Sequence, residues 1–283
     1  MPVDGPLPVT PRRTHRRATL LVPLVLAAVM CAPACGPAHL RLPSGDSVPV
    51  ADVRPMADEA VARCLAVTSI TAELALSGRV GDQRIRGRVI AGIDRDAGLR
   101  LEAVAPFGAP IFVFAGRGQA ATLLLVREKR VLTGERPEAI LEAVIGVRLE
   151  PADLLDALAG CPPTSLSPNG GRAYGENWVV ADSGDDLLYL QRVAGRWRNR
   201  AWSRGSLLVE YPRMGDGRPE RVTFRVERPG GGDAVDLTVK VSGADFNLAI
   251  PETAFDVRVP VDAAPITLEE LRAAGPMAGA SVR

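Results

Sequence analysis

From residue 70 onward, apolar and polar residues alternate with a period of two along most of the chain. In ITAELALSGRV, Ala72, Leu74 and Leu76 fall on one face and Thr71, Glu73 and Ser77 on the other. In RIRGRVIAGI, Arg84, Arg86 and Arg88 alternate with Ile85, Gly87 and Val89. In GLRLEAVA, Leu99, Leu101 and Ala103 oppose Arg100 and Glu102. Each run predicts a strand with one buried face, and the intervening glycine-rich turns predict a meander. PIFVFAG and AATLLLV are apolar on both faces, which predicts strands at the sheet centre, covered from both sides. Six more strands are expected in DLLYLQRV, RWRNRAWS, SLLVEYP, ERVTFRVE, AVDLTVKV and ADFNLAI, with turns such as GDGRP and RPGGGD. The arginines around the second of these (Arg196, Arg198, Arg200, Arg204) alternate like the outside of a strand.

The period changes midway. In RPEAILEAVIGVRLEPADLLDALAGC, apolar residues recur at helical spacing: Ile140, Leu141, Val144 and Ile145, then Leu154, Leu155 and Leu158. Pro137 and Pro151 open two short helices, and Gly146 and Gly160 close them. Residues 55–67 (PMADEAVARCLAV) form another short helix. TLEELRAAG forms a last one, with Thr267 as N-cap and Glu270 completing a capping box. The expected fold is mainly β with short helices. It is a curled antiparallel sheet, an open half-barrel of about ten strands, with a helical lid on the concave side. A large open sheet curls, and the helices need a place for their apolar faces.

Before residue 70 the pattern is that of export. Arg12, Arg13, Arg16 and Arg17 precede an apolar run from Ala18 to Met30, then Cys31 and Cys35. This is the layout of a secretory signal, and the run is shorter than the roughly 20 apolar residues of a transmembrane helix. Ala32-Pro33-Ala34 fits ordinary signal-peptidase cleavage, which releases a soluble periplasmic protein. The same residues also read as a degenerate lipoprotein box with Cys35 lipidated. Cys31 is the alternative, preceded by bulky Met30. The expected organisation is a signal peptide over 1–34, a Pro/Gly/Ser-rich flexible tether over 35–54, one half-barrel domain over 55–275 and a disordered tail over 276–283.

Composition removes several function classes. Lys and Arg total 34 against 33 Asp and Glu, so no basic surplus points to nucleic acid. Aromatics are 4%, low for stacking on bases or sugars. The two histidines, His15 and His39, lie in and just after the export segment, so the domain lacks the commonest general base and metal ligand. Gly116-Arg117-Gly118 lies between strands and opens no helix, so it is no dinucleotide fingerprint. Asp182, Asp185 and Asp186 read as a solvated turn. We expect no catalytic residue, no metal and no cofactor. Beyond the export segment, Cys64 and Cys161 remain. In an oxidising compartment they read as a disulfide closing a loop of about 100 residues, or else as two buried thiols.

The segment LRLEAVAPFGAPIFVFAGRGQAATLLLVREKRVLTGERPEAILEAVIGVRLEPADLLDALAGC, residues 99–161, runs from a strand into a Pro-apolar-Gly loop. Two strands, a short strand, a helix and a Pro-led helix follow. In order and spacing over residues 70–250 the chain resembles the LolA/LolB-like lipoprotein-carrier superfamily, nearest the outer-membrane receptor LolB and LolB-like bacterial lipoproteins. The resemblance implies an acyl-chain cavity with walls of alternating strand residues: Leu74, Leu76, Val89, Leu101, Val113, Leu123, Leu125, Trp197 and Phe224. It implies a lid bearing Ile140, Val144, Leu154, Leu155 and Leu158. It matches Pro106-Phe107-Gly108 to a protruding loop that inserts into membrane, with Phe107 as its apolar tip; the other reading makes Phe107 ordinary core. The implied function is non-catalytic: an outer-membrane lipoprotein on the periplasmic face. It would be monomeric, held through its N-terminal lipid, and would take lipoprotein or lipid cargo from a soluble periplasmic carrier. The alternative is a structural or assembly lipoprotein with a filled core. The chain departs from the receptor in its length, its few aromatics and its Cys64/Cys161 pair.

Overall fold

The computed structural model describes Met1 and residues 39–64, 66–105 and 110–274. The signal peptide, Cys31, Cys35, the loop residues Pro106, Phe107 and Gly108, and the tail over 276–283 lie outside the described residues.

One sheet dominates. It begins with β1 (Val48–Val50), followed after helix α1 (Arg54–Val61) by β2 (Ser69–Val80), β3 (Gln83–Asp94), β4 (Gly98–Val104), β5 (Pro110–Arg117), β6 (Ala120–Leu125) and β7 (Arg130–Glu135). Two helices interrupt it, α2 (Pro137–Ile145) and α3 (Pro151–Ala159). The second half runs through β8 (Gly170–Tyr174), β9 (Trp178–Ser183), β10 (Asp186–Val193), β11 (Arg196–Arg204), β12 (Leu207–Gly215), β13 (Arg218–Glu227) and β14 (Asp233–Phe246). A 3-10 turn (Glu252–Phe255), β15 (Ala264–Pro265) and α4 (Leu268–Ala274) complete it. The strand order is β1-β8-β9-β10-β11-β12-β13-β14-β2-β3-β4-β5-β6-β7-β15. All neighbours are antiparallel except β15, which pairs parallel with β7. The sheet curls without closing, because its ends, β1 and β15, do not meet.

The mainly β, half-open architecture is the expected one, but there are 15 strands rather than about ten. The short strands β1, β8, β9 and β15 add to the expected set, and β7 is the short strand expected before α2. In the other direction, AVDLTVKV and ADFNLAI are not two strands but the single β14. Its register on β2 shifts between Ser242 and Asp245, where Gly243 takes φ +55°. The glycine makes a bulge that bends the strand without ending it. Residues 48–50, placed by the sequence in a free tether, pair with Ala173, Arg172 and Gly171 of β8.

The strands β5 and β6 are buried on both faces, yet they lie towards one end of the strand order, not at its centre. Their outer cover is the returning C-terminal segment. Val257 and Ala263 pack on Val113, Leu124 and Val131 in a small second cluster. The large cluster fills the concave side, where α2 and α3 lay their apolar faces on the sheet. Proline opens both helices, and Gly146 and Gly160 close them in the left-handed region (φ +73° and +84°). Thr267 and Glu270 form the expected box: the Glu270 amide donates to Thr267 Oγ1 (3.1 Å) and the Thr267 amide to Glu270 Oε2 (2.8 Å). From residue 39 to residue 274 the described residues form one compact unit. Among the described residues, every strand, both apolar clusters and the disulfide lie within it, so it holds what it needs to fold by itself.

Candidate functional site: an apolar pocket beneath two helices

Between the helices and the concave face lies a cavity of about 60 Å³ lined by sixteen side chains, all of them apolar. The sheet supplies Leu74, Leu76, Val89, Leu101, Phe112, Phe114, Leu123, Phe224, Leu237 and Val239. The helices supply Ile140, Leu141, Val144, Ile145, Leu154 and Leu158. The period of two explains the sheet's part: Leu74 faces Val89 and Val241 across the β2 ladders, and Leu101 faces Phe114. The walls bring together ten of the residues singled out in the sequence.

Four others are placed elsewhere. Val113 is on the outer face, in the cluster with Leu124 and Val131, so it does not belong to the cavity. Both faces of β5 are apolar, and alternation alone could not fix the phase; Phe112 and Phe114 face inward instead. Leu125 sits opposite Phe112 on the concave face but is packed into core beside the cavity. Leu155 is fully buried in α3, and Trp197 is a half-buried residue at the margin of the core. The missed residues had signals. Leu141 and Ile145 carry the helical period, and Leu237 and Val239 alternate in DLTVKV.

The two helices are held differently. The α3 helix is bolted to the sheet by polar bonds. Arg95 Nη2 donates to Asp156 Oδ1 (2.5 Å) and to the Val67 carbonyl (3.2 Å). Arg204, read as the outside of a strand, instead donates to Asp153 Oδ2 (2.5 Å). Asn199 Nδ2 donates to the Gly160 carbonyl (3.1 Å). Tyr211 donates to the Cys161 carbonyl (3.1 Å) while accepting from Trp202 Nε1 (3.0 Å). Cys161 is disulfide-bonded to Cys64, tying the end of α3 to the segment after α1. Burial raises the Asp156 pKa, and Arg95 opposes that. Burial also pushes the Tyr211 hydroxyl far up, so it remains a donor at any physiological pH.

By contrast, the ion pairs of α2 run only to its own flanks and to α4. Glu138 pairs with Arg136 and Arg148, and Glu142 with Arg148 (3.1 Å) and Arg272 (3.7 Å). Among the described residues no polar side-chain bond joins α2 to a strand. It rests on the cavity by apolar packing alone, with Gly146 closing it against Val80 and Val235.

The outer face carries a polar cluster. Glu210, fully buried on β12, lies 3.6 Å from His39 Nδ1 and 4.0 Å from Arg225. His39 Nε2 lies 3.4 Å from Asp236 Oδ2, and Arg225 also pairs with Asp233. Burial pushes the Glu210 pKa up, and Arg225 and His39 partly offset it. Among the described residues, no group of three or more His, Cys, Asp or Glu side chains is arranged to hold a metal ion. Nor is any described helix long and apolar enough to cross a membrane.

No protein-family model matches the sequence, and no curated protein is significantly similar to it. Solved structures align with it at low identity. A LolA-superfamily protein from Nitrosomonas europaea aligns with 74% of this chain and 98% of its own, at 11% identity and a TM-score of 0.46. A DUF1329-family protein from Desulfovibrio piger aligns over 72% and 97%, at 12% identity and a TM-score of 0.44. A proposed outer-membrane lipoprotein-sorting domain from Vibrio parahaemolyticus aligns over 72% and 97%, at 10% identity and a TM-score of 0.41.

Proposed function

We propose that this protein is a non-catalytic, exported carrier or receptor that buries acyl chains of lipoproteins or lipids beneath α2 and α3. In this reading it is anchored at the periplasmic face of the outer membrane by lipid on Cys35. The observation that carries the proposal is the wholly apolar lining of the cavity. A site without a single polar group suits a ligand recognised by burial alone, at about 0.8 kcal/mol per methylene.

Size sets a condition on the reading. An apolar cavity of about 150 Å³ is what takes up one benzene. The cavity here, about 60 Å³, is smaller than that, so an acyl chain enters only when a wall moves. The α2 helix is the wall without polar ties to the sheet, so it is the one that swings. Phe107 would dip into the bilayer beside the entering cargo.

The test is expression of residues 36–283 in the periplasm, followed by native mass spectrometry and lipid extraction. The expected result is a co-purified acyl-bearing molecule that an apolar dye displaces. A clean apo mass with no dye uptake would overturn the carrier. It would favour the second reading, a structural or assembly lipoprotein with a filled core, which the small volume of the cavity supports. Phe107→Glu tests the loop: unimpaired lipoprotein delivery by this variant would remove its role.

A further inference from the structure

We infer that the outer face of the central strands is a docking surface for a bilayer carrying anionic lipid. The inference rests on charge placement and does not depend on the cargo.

The sheet register gathers six cations on this face. Arg84, Arg86 and Arg88 follow one another along β3, facing Arg79, Ser77 and Ala75 of β2. Ala75 faces Lys240 of β14, which faces Arg221 of β13. Two residues of strand rise about 6.7 Å and neighbouring strands lie about 4.8 Å apart, so the six fall within a patch roughly 14 Å on a side. Five are exposed and Arg221 is half-buried. The ion pairs formed nearby belong to Arg225 and His39, and none of the six takes part in one among the described residues. The bordering acids are outnumbered: Glu73 and Asp82 are exposed and unpaired among the described residues, Asp236 is engaged by His39, and six cations face them.

Folding does not favour this arrangement. Arg79 stands directly opposite Arg84, and Lys240 opposite Arg221. Like charges in direct cross-strand register destabilise a sheet. The chain as a whole has a formal charge of only +1, so the patch is local and not a by-product of a basic protein. Five of the six are arginines, whose planar guanidinium binds phosphate oxygens bidentately, as lipid headgroups present them.

Chain position points to a bilayer rather than to another polyanion. His39 sits at the border of the patch, beside Asp236, which faces Arg79 across the β14–β2 ladder. Cys35, the expected lipid attachment, lies only four residues earlier in the sequence. At the other border, β4 ends at Val104 opposite Arg88.

The experiment is co-flotation of residues 36–283 with phosphatidylcholine vesicles, with and without phosphatidylglycerol. Binding is expected only with the anionic lipid, and it should collapse between about 0.1 M and about 1 M salt, where the screening length falls from ~10 Å to ~3 Å. Reversing three cations (R84E/R86E/R88E) should weaken binding by at least about a hundredfold, each surface cation being worth about fivefold. Reversal of an exposed arginine elsewhere, Arg196→Glu, should leave binding unchanged. An unchanged circular dichroism spectrum and an intact Cys64–Cys161 bond show that the triple variant is folded. Equal binding to neutral vesicles, or full binding by the triple variant, would overturn the inference. Retention on heparin without any vesicle binding would overturn it in favour of an acidic macromolecule. None of these outcomes touches dye uptake, so the docking face and the cavity fail or stand separately.

Discussion

Glu210 has a carboxylate where the fold gives it little reward. It is fully buried and shifted upward by burial, with the charges of Arg225 and His39 opposing that shift and Asp236 and Asp233 beyond them. A raised carboxyl pKa contributes stability below its ordinary value of 4.5, and that contribution is lost as pH rises through the raised value. Glu210→Gln is therefore expected to melt higher than the parent protein at neutral pH, with the gap closing below pH 4.5. Thermal denaturation across that range checks it; an equal gap at every pH would refute the argument. In the cavity, Ile140→Ala should cost about 2–5 kcal/mol and widen the space beneath α2. The measurements are the melting temperature and dye uptake, the first falling and the second rising. The residues of this wall were legible wherever one face of a strand is polar, as at Leu74, Leu76 and Leu101. They were not legible at Val113, because β5 is covered on both faces and its alternation carries no phase. Glu210 had no signal at all: in SLLVEYP it alternates like any solvent-facing acid, and the groups against it, His39, Leu40 and Arg225, arrive from distant parts of the chain.

At the scale of elements, the helices divide the work between holding and moving. The α3 helix has its carboxylates and terminal carbonyls taken by Arg95, Arg204, Asn199 and Tyr211, whereas α2 has only apolar contacts with the strands. Removing Arg95 leaves Asp156 charged and nearly enclosed, so Arg95→Ala should cost about 3–5 kcal/mol. Denaturant unfolding reads it. A loss as small as that of an exposed ion pair, under about 1 kcal/mol, would contradict the bolted helix. Breaking the Cys64–Cys161 bond by Cys→Ser exchange at both positions should cost about 2–5 kcal/mol. Melting with and without reductant checks it: the parent should fall to the variant's temperature, and the variant should not move. Both helices were plain in the sequence, with proline at the start, glycine at the end and apolar residues at a period near four between. By alternation alone the strands β7, β8 and β9 were harder to see. RVLTGE and GGRAY are short, glycine-bearing runs whose pairing comes from neighbours already in place. Gly243 misled for a related reason, since a left-handed glycine serves a bulge as well as it serves a turn.

The whole molecule is one sheet with two ends, and each end is brief. β1 has three residues with Pro49 in the middle, and β15 has two, the second of them Pro265. A long unpaired strand edge offers free amides and carbonyls to any other strand, and proteins blunt such edges with short strands and proline. β8 is the last strand of useful length on its side, and only residues 48–50 cover it. Those three residues thus act as a stopper against self-association. A protease cut between residues 44 and 47 that lets the stopper go would turn a single molecule into a template for its own copies. The same cut parts the domain from His39 and from the lipid expected on Cys35, so the oligomers, joined edge to edge through β8, would no longer be held by that anchor.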